Sequence, residues 1–334
     1  MSSVTINDTL FPYNAWRNLV LIILINLVKI IIGFILLIKG ADFFVDGSAA
    51  VARKLGIPQL VIGLTIVALG TSAPEAAVSI SAALKGNNGI SIGNVLGSNI
   101  MNVLLILGIT AVITTLPVKK GTIRVDIPFM IFSTILLVAW GSIKGKLTAL
   151  TGLIFLTLLI GYIIYLIWYS KNHADEEQEE TKQVKTFAIP LFILGGIVSI
   201  IFGSNIAVDG AAGIALFFGV SDRIIGLTIV AFGTSLPELM TSVTAARKGE
   251  VDLAIGNIVG SNLFNILFIL GMTSVIIDLP YISDAANFMI DGFVALGTAI
   301  LLFLLSCRGK LKRSGGIIML LCYTSYFIYL LAMQ

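Results

Sequence analysis

Ten apolar stretches, each of membrane-crossing length, leave this chain few ways to fold. They fall at about 18–40 (continuing towards 54), 57–84, 90–116, 123–141, 147–169, 186–218, 221–246, 253–278, 286–306 and 315–333. A bilayer core takes about 20 apolar residues as helix. Without water, only helices and closed barrels satisfy their own backbone groups there. The runs show no period-two alternation, so they read as helices. Composition agrees: only 12% of the 334 residues are charged, against about 25% in soluble domains, and mean hydropathy is +1.03. The reading is an all-α integral membrane protein with ten transmembrane helices.

The one long polar break, 170–185, contains Asp175-Glu176-Glu177-Gln178-Glu179-Glu180 and divides the runs into two sets of five. Basic residues set the orientation. With the N-terminus outside, 14 Lys and Arg fall in inner loops (among them Arg53, Lys119, Arg247, Lys248 and Arg313). Only five fall outside: Arg17, Lys85, Lys144, Lys146 and Arg223. Inner loops carry the positive excess, which predicts both termini outside and the acidic loop in the cytoplasm. No basic n-region or small-residue cleavage site marks a signal peptide, so the first helix is expected to stay as an anchor.

The chain also repeats itself. Displaced by 163 residues, Val61–Gly108 aligns without a gap on Ile224–Gly271, with about half the positions identical. Five helices per copy make the second enter from the opposite side, the inverted-repeat plan of secondary transporters, whose site lies at the midplane between repeats. The expected units are an outer segment 1–17, a first five-helix repeat 18–169 with its core at 56–108, a linker 170–185, and a second repeat 186–334 with its core at 219–271.

At the centre of each copy lies a charged, kinked hexapeptide, Gly70-Thr71-Ser72-Ala73-Pro74-Glu75 and Gly233-Thr234-Ser235-Leu236-Pro237-Glu238. An ionised residue at mid-span costs about 2.5–3.5 kcal/mol on insertion scales, so a bound cation or water-filled cavity is expected to compensate it. Thr71 and Ser72 lie four and three residues before Glu75, on its helical face. Pro74 has no amide hydrogen for the Gly70 carbonyl, and a kink there turns carbonyls such as that of Ala68 towards a ligand. The next span adds Asn94, Ser98 and Asn102 at four-residue spacing, and the second copy adds Asn257, Ser261 and Asn265. Carboxylate, hydroxyl, amide and carbonyl are hard oxygen donors suited to Ca²⁺ or Na⁺.

The two T-S-x-P-E segments, each followed by a G-N-x-x-G-S-N-x-x-N helix, resemble the paired alpha repeats of the sodium/calcium exchangers in the cation/calcium antiporter superfamily. The resemblance covers nearly the whole chain. It implies that Ca²⁺ is exchanged for Na⁺ by alternating access. It also implies the cation ligands: Glu75, Thr71, Ser72, Ser98, Asn102 and the Ala68 carbonyl in one half, and Glu238, Thr234, Ser235, Ser261, Asn265 and the Ala231 carbonyl in the other. Some relatives carry Asp where this chain has Asn265, and here two formal negatives remain to match one Ca²⁺.

Alternatives stay open at this point. The same carboxylates could take up protons, giving a H⁺-coupled or K⁺-assisted antiporter, and a cation channel lined by these residues is a further class. No nucleophile–base pair, nucleotide loop or catalytic metal motif suggests an enzyme. No cofactor is expected beyond the transported ions, nor any obligate protein or nucleic-acid partner. Asp46 and Asp209 match across the repeat and read either as structural or as part of an ion path. Asp126, Asp278, Asp284 and Asp291 read as interfacial, and His173 and the acidic run as solvated. Cys307 and Cys322 lack disulfide or metal spacing and read as packing residues.

Overall fold

The computed structural model describes residues 13–172, 186–218, 229, 231–283 and 286–332. Helix α1, Tyr13–Leu55, is followed by a broken pair, α2 (Gln59–Thr71) and α3 (Ala73–Leu84). Next come α4 (Asn88–Ile113), α5 (Thr122–Lys144) and α6 (Ala149–Asn172). The second half opens with α7 (Ile189–Phe217), then the short α8 (Ala231–Thr234) and α9 (Leu236–Arg247). It closes with α10 (Val251–Ile276), α11 (Met289–Ser306) and α12 (Arg313–Ala332).

Among the described residues, seven helices are long and apolar enough to cross a membrane, or eight if α2–α3 is one bent span. The protein is therefore an all-α, multi-pass membrane protein. The expected span at 221–246 falls partly outside the described residues, as do His173, Asp284 and most of the acidic linker. The last expected span, 315–333, corresponds to α12.

Burial sorts the helices into centre and periphery. The most apolar stretch of α10 is 94% buried and that of α4 72%, whereas that of α1 is only 17% buried. Helices α1 and α7 lie antiparallel along each other, on glycines spaced by seven: Gly33, Gly40 and Gly47 against Gly196, Gly203 and Gly210. A Cβ on Gly40 would come within 2.9 Å of the Ile200 amide nitrogen, and one on Gly196 within 2.7 Å of that of Phe44. Small residues let helix backbones approach where lipid gives no hydrophobic drive for association. A similar contact seats α2 on α10, where a Cβ on Gly256 would meet Gly63 at 3.0 Å and the Leu60 carbonyl at 2.8 Å.

Short strands tie the halves together at their ends. Strand β1 (Leu116–Pro117) pairs with β6 (Lys310–Leu311), and β2 (Lys146–Leu147) with β3 (Leu279–Pro280). A two-stranded hairpin, β4 (Ile282–Ser283) with β5 (Ala286–Asn287), completes the set. Leu116 and Leu279 are 163 apart, so each half lends the same loop to the other.

One expectation is sharpened and one corrected. Asp126, near the start of its span, is buried in the protein, and the Tyr162 hydroxyl donates to its Oδ1 at 2.7 Å. A buried carboxylate needs such a partner, and the aromatic column on α6 supplies it. Cys307 and Cys322 are exposed rather than packed inside. A thiol is a small apolar group, and a lipid-facing surface accepts it as readily as a core does. Asp278 keeps its rim position, paired with Lys146 at 2.7 Å with both side chains about half exposed.

Candidate cation site

The site starts from two helix breaks. Pro74 and Pro237 stand in the first two positions of α3 and α9, where a missing amide hydrogen costs nothing. The preceding helix cannot run through them. It ends at Thr71, and α2 meets α3 at 48°. The hinge residues have matching backbones, Ser72 at φ −81°, ψ 5° and Ser235 at φ −92°, ψ 3°. Each break places a glutamate, Glu75 or Glu238, in the first turn of a new helix, where the dipole favours a negative charge.

Both glutamates are fully buried, and each is held by the other half. Ser72 occupies the cap position of α3 yet makes no cap bond. Its hydroxyl crosses to donate to Glu238 Oε1 at 3.1 Å, and Ser235 donates to Glu75 Oε1 at 3.3 Å. Ser261 adds a weaker donation to Glu238 Oε1 at 3.5 Å.

The long helices α4 and α10 brace this centre. Asn94 donates to Ser79 Oγ at 2.9 Å and to the Glu75 carbonyl at 3.3 Å. Asn257 does the same to Ser242 Oγ at 2.9 Å and to the Glu238 carbonyl at 3.4 Å. Thr71 donates to Asn257 Oδ1 at 3.0 Å. At Asn102 and Asn265 each long helix relaxes into a π-helical segment, Asn102–Leu107 and Asn265–Leu270, a distortion frequent at functional sites.

Four asparagines then cross between the halves. Asn99 and Asn262 each donate to the other's backbone carbonyl at 3.2 Å. Asn102 Nδ2 donates to Asn262 Oδ1 at 3.0 Å, and Asn265 Nδ2 to Asn99 Oδ1 at 2.9 Å. With their amide nitrogens so engaged, Asn102 and Asn265 keep Oδ1 atoms that are buried and unpaired. Glu75 Oε2 and Glu238 Oε2 are also buried without a donor. An unmet buried polar group costs about 1–3 kcal/mol, and more when charged, and oxygen acceptors of this kind are the donors a hard cation takes.

The expected residues fall into two groups: Glu75, Glu238, Ser72, Ser235 and Ser261 in one hydrogen-bonded cluster, and Asn102 and Asn265 in a second with Asn262 and Asn99. Thr71 reaches the same centre through Asn257. Ser98 is buried on α4, but its hydroxyl makes no hydrogen bond among the described residues. The Ala68 carbonyl accepts the Ser72 amide at 3.0 Å, and the Phe232 carbonyl accepts the Ser235 amide at 3.2 Å. Thr234 ends α8 beside this hinge. Sequence reasoning passed over Asn99 and Asn262. Their signal was present in the G-S-N triplet, repeated at the same 163-residue offset.

Known proteins share this architecture. The family described as Sodium/calcium exchanger protein matches residues 25–168 and 188–332. CaxA of Alkalimonas amylolytica is 38% identical over 314 residues, 91% of this chain and 98% of its own. Sodium/calcium exchanger MaX1 of Methanosarcina acetivorans is 32% identical over 349 residues, 92% of this chain and 99% of its own. Among solved structures, the sodium-calcium exchanger NCX_Mj soaked with 10 mM Na⁺ and 10 mM Sr²⁺ superposes with a TM-score of 0.80 at 34% identity. That likeness covers 92% of this chain and 98% of the other. With its paired glutamates and asparagines in place, the chain belongs to the sodium/calcium exchanger family.

Proposed function

We propose that the protein is a secondary antiporter that exchanges Ca²⁺ for Na⁺ across the cell's inner or plasma membrane. The observation that carries this reading is the set of four buried, donor-free oxygens on Glu75, Glu238, Asn102 and Asn265. Two carboxylates balance one Ca²⁺. The hydroxyls of Thr71, Ser72, Ser98, Thr234, Ser235 and Ser261, with the Ala68 and Ala231 carbonyls, supply more than enough further oxygens for the six to eight that Ca²⁺ takes. Na⁺ competes for the same carboxylates, so the two ions take turns. An empty site buries two uncompensated charges, which disfavours its crossing and couples the fluxes.

In this reading the chain has ten spans in two inverted five-helix repeats, 18–169 and 186–334, the plan in which such sites sit between repeats. Both termini lie outside and 170–185 is cytoplasmic, as the basic-residue bias implies. Membership of the sodium/calcium exchanger family and likeness to the sodium/calcium exchanger MaX1 support Na⁺ as the counter-ion. Moving Ca²⁺ out against a negative interior costs about 2 × 2.3 kcal/mol per 100 mV. At least three Na⁺ must enter for the potential to drive the cycle.

Isotope flux into proteoliposomes tests the proposal, with Na⁺, K⁺ and H⁺ gradients imposed separately. An outward Na⁺ gradient is expected to drive Ca²⁺ uptake. Uptake driven by a proton gradient in Na⁺-free medium would favour the H⁺-coupled alternative, which the same buried carboxylates permit. Conductance far above carrier turnover would favour a channel.

A further inference from the structure

We propose that Asn99 and Asn262, which accept the side-chain amides of Asn265 and Asn102 respectively, are positioning residues for the cation site. The proposal deepens the antiport reading and rests on it. A side-chain amide is planar, with oxygen and nitrogen on opposite sides of one carbon. Asn265 Nδ2 is engaged by Asn99 Oδ1 at 2.9 Å and Asn102 Nδ2 by Asn262 Oδ1 at 3.0 Å. Each free Oδ1 must therefore face away from that contact and remains an acceptor without a donor.

Asn99 and Asn262 are in turn held by each other's backbone carbonyl. The ring thus fixes oxygen, not NH₂, towards the ion. The control is crossed: the α4 asparagine orients the ligand on α10, and the α10 asparagine orients the ligand on α4. An amide donates to the ring and accepts at the ion together while carrying no formal charge at 102 and 265.

Ca²⁺ half-saturation of exchange in proteoliposomes, read as double-mutant cycles, tests this. Asn99→Leu and Asn262→Leu are each expected to raise half-saturating Ca²⁺ about 10–100-fold, the usual effect of losing an outer-shell partner. Asn99→Asp keeps the acceptor for Asn265 but loses the donor to the Asn262 carbonyl, and is expected to recover part of the loss. Asn99→Leu should add little to Asn265→Ala but its full effect to Asn102→Ala, with the reverse pattern for Asn262. Additivity in all four cycles, or wild-type half-saturation in Asn99→Leu, would overturn the assignment. Should a Leu variant fail to fold, Asn99→Ser removes the same acceptor geometry and takes its place. Failure of the wild-type protein to move Ca²⁺ would instead sink the antiport reading.

A separate observation carries a second inference. Lys248, at the end of α9, lies 2.8 Å from Asp46 Oδ1 and 3.2 Å from Asp42 Oδ1, both on α1. Its repeat counterparts, Lys85 at the end of α3 and Asp209 on α7, are exposed and unpaired among the described residues. Helix α1 packs along α9, while α7 makes no comparable contact with α3. We infer that the Lys248–Asp46 ion pair is a latch that holds one face closed, and that Lys85 and Asp209 form its counterpart when the other face closes. Asn205 stands where the repeat would place a second carboxylate equivalent to Asp42, so the Lys248 latch is the stronger.

Cysteine pairs in a Cys307→Ser, Cys322→Ser background test it with a short bifunctional thiol reagent. Asp46→Cys with Lys248→Cys, and Asp209→Cys with Lys85→Cys, are both expected to cross-link during turnover and to block flux. A pair at 85 and 209 that never links while ions cycle, or a linked 46–248 pair that transports at full rate, would overturn the latch. Cross-linking reads the movement whichever ion drives it, so a failed latch and a failed Na⁺ coupling are distinguishable.

Discussion

The two halves agree at their centre and differ at their rim. Ser72 reaches Glu238 as Ser235 reaches Glu75, and Asn94 braces one glutamate as Asn257 braces the other. At the rim Lys248 is bound to α1 while Lys85 stands exposed. Arg53–Glu250 and Lys119–Asp252, at 3.3 and 3.1 Å, lie on the Lys248 side. A site that serves one ion from two directions needs a symmetric centre. A rim that opens on one side at a time is asymmetric in any single state.

The largest effect should break the symmetry at the centre. Glu75→Gln and Glu238→Gln are each expected to abolish Ca²⁺ flux while leaving a folded protein, since one carboxylate cannot balance a dehydrated divalent cation. Isotope uptake checks both, and full transport by either would refute the shared site. Next comes Asn265→Asp, which adds a third charge and removes the donor to Asn99. It is expected to change the competition between Ca²⁺ and Na⁺, measured as Na⁺ inhibition of Ca²⁺ uptake. An unchanged inhibition curve would place residue 265 outside the site.

Smaller effects belong to the frame. Gly40→Leu forces a side chain into the α1–α7 contact, where a Cβ would already meet Ile200 and Ser199 at 2.9 Å. Its repeat partner Gly203→Leu meets Gly33 and Leu37 at 2.8 Å. Overpacking of this kind costs about 1–3 kcal/mol, and thermal unfolding in detergent should show similar losses for both. The smallest effect is Lys146→Ala. Its pair with Asp278 is half exposed on both sides, and such pairs are worth about 0–1 kcal/mol. Stability and flux should stay near wild type, in contrast to Lys248→Ala, which removes a latch.

Much of this was legible in the chain because the membrane restricts the choices. Apolar runs in lipid must be helices, and a glutamate–proline pair inside one marks a break, as Glu75 and Glu238 do. The 163-residue repeat then picked out the hydroxyls and amides of the centre. What pattern could not show was direction. Whether Asn99 serves the site or the packing depends on where its amide points, and that is decided by contacts with a helix 163 residues away. The burial of Asp126 was hidden for the same reason, since its partner Tyr162 lies on another helix. Asp46 and Asp209 look alike in sequence, yet Asp46 pairs with Lys248 while Asp209 is exposed.

Equilibrium Ca²⁺ binding to the purified protein in Na⁺-free medium tests the central claim most directly, that both halves build one site. The account predicts one Ca²⁺ per chain, with binding lost equally in Glu75→Gln and Glu238→Gln. Two Ca²⁺ per chain, or one retained when either glutamate is replaced, would contradict it.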